Sequence, residues 1–205
     1  RKRKERVRMI VGALALQGSF QEHIDMLTRM GVEAIPIRKP DQLAGIDGLI
    51  IPGGESTTIG KLATTYELIE PLREFGSHAP IWGTCAGAIF LSKDARRDQP
   101  LLGLMNITVE RNAFGRQVDS FEIDLSIAVL EQPEEPFHAI FIRAPLIESV
   151  GPGVDVLAEL DSSSGGARIV AAREDRLLAT SFHPELTRDD RFHRYFIRLI
   201  EENNP

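Results

Sequence analysis

Apolar positions in the first half of the chain alternate between two rhythms. Residues 10–16 are almost continuously apolar, as in a strand buried on both faces. Phe20, Ile24, Leu27 and Met30 then recur at helical spacing, and Gly31 is a natural stop. Residues 32–37 resume strand character, and Leu49-Ile50-Ile51 is a third short strand ended by Pro52-Gly53-Gly54. Ser56, Thr57 or Thr58 can cap a helix running towards Leu62, residues 66–75 predict another helix, and Ile81-Trp82 a fourth strand. Alternation of this kind predicts an α/β fold of three layers, αβα, with a mostly parallel central sheet covered on both faces.

The second half is richer in strands, expected at 107–110, 120–125, 139–142, 154–160, 169–172 and 177–181. Ser162-Ser163-Ser164-Gly165-Gly166 reads as a turn between two of them. A final helix is expected over 190–202, with Phe192, Tyr195, Phe196 and Leu199 on one side. No linker, repeat or low-complexity block interrupts the pattern, so residues 9–205 are expected to form a single domain. Residues 1–8, RKRKERVR, stand apart as a basic extension, expected to be a disordered tail, with a nucleic-acid or anionic-surface arm as the alternative.

The length of 205 residues suits one well-cored domain. The formal net charge of −6 gives the body no general attraction for nucleic acid. No apolar run approaches the roughly 20 residues of a membrane span, and none follows the basic start as a signal peptide requires. A single cysteine cannot form an internal disulfide or a cysteine-based zinc site, which suits a reducing compartment, most simply the cytoplasm. No metal or bound organic cofactor is indicated.

That cysteine changes the picture. Cys85 sits in Gly83-Thr84-Cys85-Ala86-Gly87, between a strand and the apolar run Ala88-Ile89-Phe90-Leu91. The layout is that of the G-x-S-x-G nucleophile elbow, with cysteine for serine. A sulfur at the start of a helix feels the positive end of the helix dipole, which favours thiolate. A cysteine nucleophile needs a base, and the base needs an orienter. Of the five histidines, His23 falls in an amphipathic helix, His78 in a polar turn, His138 before an apolar strand and His193 in the last helix. His183 alone follows a strand directly, in Ser181-Phe182-His183-Pro184-Glu185, at the carboxyl end where sheet ligands gather. In an extended segment Glu185 would point alongside His183 and hold its tautomer. The amides of Gly54 and Ala86 can serve as oxyanion donors. Taken singly, the cysteine can be a small core hydrophobe, His-Pro-Glu a helix-entry turn and Gly-Gly a tight turn. Together they fill every role of one acyl-transfer site.

The motifs Leu16-Gln17-Gly18, Pro52-Gly53-Gly54-Glu55-Ser56-Thr57-Thr58, the cysteine elbow, the stretch 109–122 (VERNAFGRQVDSFE), Phe141-Ile142-Arg143-Ala144-Pro145 and Ser181-Phe182-His183-Pro184-Glu185-Leu186-Thr187 resemble those of class I (triad) glutamine amidotransferases. More narrowly, the chain is similar to the glutaminase subunits of pyridoxal 5'-phosphate synthases. The resemblance implies a flavodoxin-like fold and a triad of Cys85, His183 and Glu185. It implies contacts to L-glutamine from Gly54, Glu55, Ser56, Arg111, Ile142 and Arg143, with either arginine available for the carboxylate. It also implies a separate synthase (lyase) subunit as partner in a heteromeric complex, receiving ammonia, and a part for Gln17 in partner-linked activation. Two other readings stay open on the residues alone. One is another cysteine hydrolase on this scaffold, such as a γ-glutamyl peptidase, and the other an interaction protein with a structural Cys85.

Overall fold

The computed structural model describes residues 8–112, 114, 120–161 and 168–204. The basic stretch 1–7, the expected turn at 162–166 and the segment 115–119 lie outside the described residues. The chain begins with strand β1 (Ile10–Leu14), helix α1 (Phe20–Arg29) and strand β2 (Glu33–Ile37), followed by a short 3-10 turn over Pro40–Gly45. Then come β3 (Gly48–Ile51), α2 (Ser56–Thr65), α3 (Ile69–His78), β4 (Ile81–Thr84) and α4 (Ala86–Leu91). The second half contributes β5 (Ser92–Asp94), β6 (Met105–Glu110), β7 (Ser120–Leu125), β8 (Phe137–Ile142), β9 (Leu146–Val150), β10 (Asp155–Leu160), β11 (Arg168–Glu174) and β12 (Leu177–Thr180). A 3-10 turn over Pro184–Leu186 and helix α5 (Arg191–Asn203) complete the order.

The main sheet runs β2-β1-β3-β4-β12-β11-β9-β6-β5, with β10 paired to β11. From β2 to β12 every pairing is parallel. Beyond β12 the pairings β12 to β11, β11 to β9 and β9 to β6 are antiparallel, and β5 closes the edge parallel to β6. Strands β7 and β8 form a separate antiparallel hairpin. The expected mostly parallel sheet therefore holds, with an antiparallel wing grafted onto one side. Strands β3, β4 and β12 are buried at every position, which is why their sequences show no polar alternation.

Successive side chains on those strands enter two separate cores. Leu49 and Ile51 pack on the side of α2, α3 and α4 with Ile59, Leu72 and Phe90. Ile50 and Trp82 face the opposite layer, with Leu27 of α1 and Phe192, Phe196 and Ile200 of α5. Burying large aliphatic and aromatic side chains in both layers stabilises the sandwich by about 1.5–3 kcal/mol each before entropy is counted.

Local differences from the expected elements have physical causes. The expected helix over 66–75 is displaced: α2 continues to Thr65, Tyr66 ends it, and Glu67 reverses the chain at φ 56°. Helix α3 then starts at Ile69, leaving Pro71 in its first turn, where its missing N–H is harmless. None of the three hydroxyls expected to cap α2 does so, because Glu55 holds the N-cap position and makes no side-chain cap bond. The strands β5 and β9 were not expected; β9 is short, follows Pro145 and is half polar on its outer side.

Candidate active site

Strand β4 delivers Cys85 to a sharp bend. Its backbone sits at φ 51°, ψ −110°, in a region costing a non-glycine residue about 1–3 kcal/mol. The surroundings hold it there: the Cys85 amide donates to Thr180 O at 2.8 Å, and α4 begins at the next residue. Gly87 lets α4 lie directly on β3, since a Cβ there would stand 1.9 Å from Ile51 O. The thiol lies at the carboxyl end of the parallel half of the sheet, as its sequence position implied.

His183 reaches it through topology. Strand β12 lies parallel to β4 with Thr180 opposite Thr84, so the chains leaving both strands emerge side by side. The His183 amide donates to Ile140 O at 2.9 Å, which anchors the turn to β8. His183 and Cys85 both close on Gly53 and line the same cavity, and His183 Nδ1 donates to Glu185 Oε1 at 2.6 Å. The expected contact to Glu185 is present, but its geometry differs from the extended segment anticipated. Residues Pro184–Leu186 form a 3-10 turn, and Glu185 curls back to the Nδ1 edge of the ring.

Burial of His183 and Glu185 works against both charges, yet their mutual contacts prevail. Burial disfavours the imidazolium of His183, but the nearby Cys85 and the hydrogen-bonded Glu185 raise its pKa to about 10. Burial likewise disfavours the Glu185 carboxylate, but the pull of His23, which carries charge only at acid pH, and of His183, with the hydrogen bond from His183, lowers its pKa to about 2. Both groups are therefore charged across the neutral range.

The remaining expected residues surround one cavity of about 360 Å³ lined by Cys85 and His183, within the range of small-molecule sites. Gly54, Glu55, Ser56, Ala86, Arg111, Ile142 and Arg143 all border it. The Ile142 carbonyl lies 3.9 Å from Cys85 Sγ. Arg143 is held at φ 43°, and the Arg111 guanidinium donates to Glu55 across the mouth. Gln17 is not in the lining but supports it: its Oε1 accepts the Glu55 amide at 2.8 Å. Among the described residues, no group of three or more His, Cys, Asp and Glu side chains is arranged to hold a metal ion. Nor is any described helix long and apolar enough to cross a membrane.

Sequence reasoning passed over Ser19. It occupies the N-cap position of α1, yet its hydroxyl does not cap that helix; it donates to Glu185 Oε1 at 3.1 Å. The nearby Leu16-Gln17-Gly18 motif marked the loop, but the pairing spans 166 residues and no local pattern encodes it. Asn112, Pro145 and Leu186 also border the cavity and were not singled out.

The family model of the SNO glutamine amidotransferase family matches residues 13–202. The chain is 55% identical over 194 residues to the pyridoxal 5'-phosphate synthase subunit PdxT of Moorella thermoacetica, covering 94% of this chain and all of that protein. It is 56% identical over 196 residues to the subunit of the same name from Herpetosiphon aurantiacus, covering 93% of this chain and all of the relative. A crystal structure of a glutamine amidotransferase superposes with a TM-score of 0.85 at 49% identity, covering 93% of this chain and 98% of that one. PurLQS from Thermotoga maritima shares the fold at a TM-score of 0.69 and 14% identity, covering 97% of this chain and all of that one.

Proposed function

This chain belongs to the SNO glutamine amidotransferase family, and from that membership we propose that it is the glutaminase subunit of a pyridoxal 5'-phosphate synthase. It hydrolyses L-glutamine to L-glutamate and hands the ammonia to a separate synthase subunit. The observation that carries the catalytic reading is that Cys85 and His183 border one cavity with charges of both signs, with Glu185 hydrogen-bonded to His183 behind it. The relatives named as synthase subunits support the partner.

The Cys85 thiolate attacks the side-chain amide carbon of glutamine, forming the carbon–sulfur bond and pushing the carbonyl electrons onto oxygen. The amides of Gly54 and Ala86 hold that oxyanion, and removing such a donor costs on the order of 10²–10³ in kcat. His183, already protonated, gives its proton to the departing nitrogen, so ammonia leaves and a glutamyl thioester remains. Water then loses a proton to His183 and attacks the thioester, releasing glutamate and regenerating the thiolate. Glu185 holds His183 in one tautomer and balances its charge in both steps. At the mouth, Glu55 faces the α-ammonium, and Arg111 or Arg143 takes the α-carboxylate, with Ser56 and the Ile142 carbonyl completing the contacts.

Ammonia release from L-glutamine, measured for wild type and Cys85→Ala with and without a synthase subunit, tests this. Partner-dependent release that is lost in the variant is the expected result. A complex that assembles yet releases no ammonia above the variant overturns it.

A further inference from the structure

Glu185 has two oxygens, and the proposed mechanism uses one. Oε1 accepts both His183 Nδ1 and the Ser19 hydroxyl, at 2.6 and 3.1 Å. Oε2 is fully buried and has no hydrogen bond of ordinary geometry, but it faces His23 Nε2 at 3.5 Å. A buried carboxylate oxygen left without a donor is costly and free to rotate away from its partner. His23 stands four residues, one helical turn, after Ser19, so α1 presents two groups to the same carboxylate.

His23 is itself held from behind. Its Nδ1 lies 2.9 Å from His193 Nε2 on α5, and its Nε2 is also 3.3 Å from Thr84 Oγ1, the residue before Cys85. Both rings are completely buried and pack edge-on against Trp82, at centroid distances of 5.6 and 4.9 Å. Neither histidine borders the substrate cavity. A series of side chains thus runs from Cys85 through His183, Glu185 and His23 to His193, spanning the interior from elbow to last helix.

The protons on this series can be assigned. Two neutral imidazoles in contact share one N–H. If His23 donates from Nδ1, its Nε2 lone pair faces the carboxylate, and His193 Nδ1, buried and without a hydrogen bond, carries an orphan N–H. If His193 donates from Nε2 to His23 Nδ1, then His23 Nε2 carries the N–H, between Thr84 Oγ1 at 3.3 Å and Glu185 Oε2 at 3.5 Å, and of the two rings only an acceptor is orphaned. Buried orphan acceptors are tolerated more readily than buried orphan N–H groups. The second arrangement wins on both counts.

We propose that His23, fixed in its Nε2–H tautomer by His193, is a positioning residue for Glu185, directing Oε2 so that Oε1 stays on His183. The proposal rests on the triad reading above. Neutrality matters to it. Burial lowers the pKa of His23 against the pull of Glu185, assisted by His183 and opposed by Glu22; burial lowers His193 too, with His23 and Arg29 adding to the effect. A neutral donor directs the carboxylate without cancelling the charge that keeps His183 protonated.

The test uses the complex with the synthase subunit and ammonia release as readout. His23→Leu is expected to lower kcat about tenfold to a hundredfold, as loss of an outer orienting partner does, while KM for glutamine stays within about twofold. His23→Gln, whose amide nitrogen can occupy the Nε2 position, should recover most of kcat. A folded His23→Leu with kcat within about twofold of wild type overturns the proposal. So does His23→Gln performing no better than His23→Leu. Should the leucine variant not fold, ¹⁵N spectra of the wild-type imidazoles decide. The Nε2–H tautomer of His23 is expected, and an Nδ1–H tautomer or an imidazolium overturns it. Wild-type complex that releases no ammonia would count against the glutaminase reading, and the tautomer would still decide the role of His23.

Discussion

The imidazole of His183 closes on the backbone of Gly53: a Cβ on residue 53 would stand 2.7 Å from His183 Cε1 and 3.3 Å from Cys85 Cβ. The glycine is thus required by proximity to the nucleophile and its base. Gly53→Ala must push the ring or the turn aside. A displacement near 1 Å at reacting groups costs on the order of 10²-fold in rate, so kcat for ammonia release should fall by about that factor. Thermal unfolding should change little, because the turn lies at the edge of the core. Full activity in Gly53→Ala would mean that the His183 ring has room to spare.

The pair Glu185 and His183 gives a pH signature. Glu185 is shifted down from its ordinary 4.5 to about 2, so its stabilising contribution is complete above 4.5 and is lost as pH falls through about 2. His183 is shifted up from 6.5 to about 10, so its contribution is complete below 6.5 and disappears as pH rises through about 10. Glu185→Gln removes the anion that favours imidazolium. Loss of activity on the alkaline side should then begin at lower pH than in the wild type. A pH profile of kcat/KM for both proteins reads this directly, and superimposable alkaline limbs would show that Glu185 does not set the charge of His183.

Arg111 and Glu55 pair across the mouth of the cavity, with both side chains partly open to solvent. Such a pair contributes only about 0–1 kcal/mol, so a zwitterionic substrate can replace it at small cost. Arg111→Met should therefore leave stability within about 0.5 kcal/mol. KM for glutamine should rise about tenfold or more, with kcat less affected, as expected when a charged partner of the substrate is removed. An unchanged KM would assign the carboxylate to Arg143.

Gln17 holds the turn from the other side. Its Oε1 accepts the Glu55 amide, and it occupies the space where a Cβ on Gly54 would fall, 2.3 Å away. A turn carrying the Gly54 amide is thereby tied to the loop after β1. In Gln17→Ala, partner-stimulated ammonia release should drop about tenfold, the scale of one lost hydrogen bond of about 1.4 kcal/mol. The fold should be intact by circular dichroism. Stimulation equal to wild type would remove Gln17 from the activation step.

Much of this was legible in sequence because it is local. A strand buried on both faces must be continuously apolar, so 10–16, 49–51 and 81–82 announced themselves, and glycines around Cys85 marked a bend. His183 stood out among five histidines because it alone follows a strand directly. The boundary between α2 and α3 was misplaced because Tyr66 and Leu68 continue an apolar rhythm through a backbone reversal at Glu67, which periodicity does not register. Strand β9 escaped notice because its strand character comes from pairing with β6, 40 or so residues away in sequence, and not from its own alternation.

The sequence by itself determined which residues can do the chemistry and that they lie at strand ends, since residue type and local periodicity are properties of a short window. Only the tertiary structure decided that β12 lies beside β4 and so brings His183 to Cys85. It alone turned Glu185 back through a 3-10 turn and set Ser19 and His23 against its two oxygens. In sequence His23 and His193 are ordinary residues of amphipathic helices. They become part of the site because two helices pack on the same face of the sheet, and burial leaves each polar nitrogen only the partners that packing supplies.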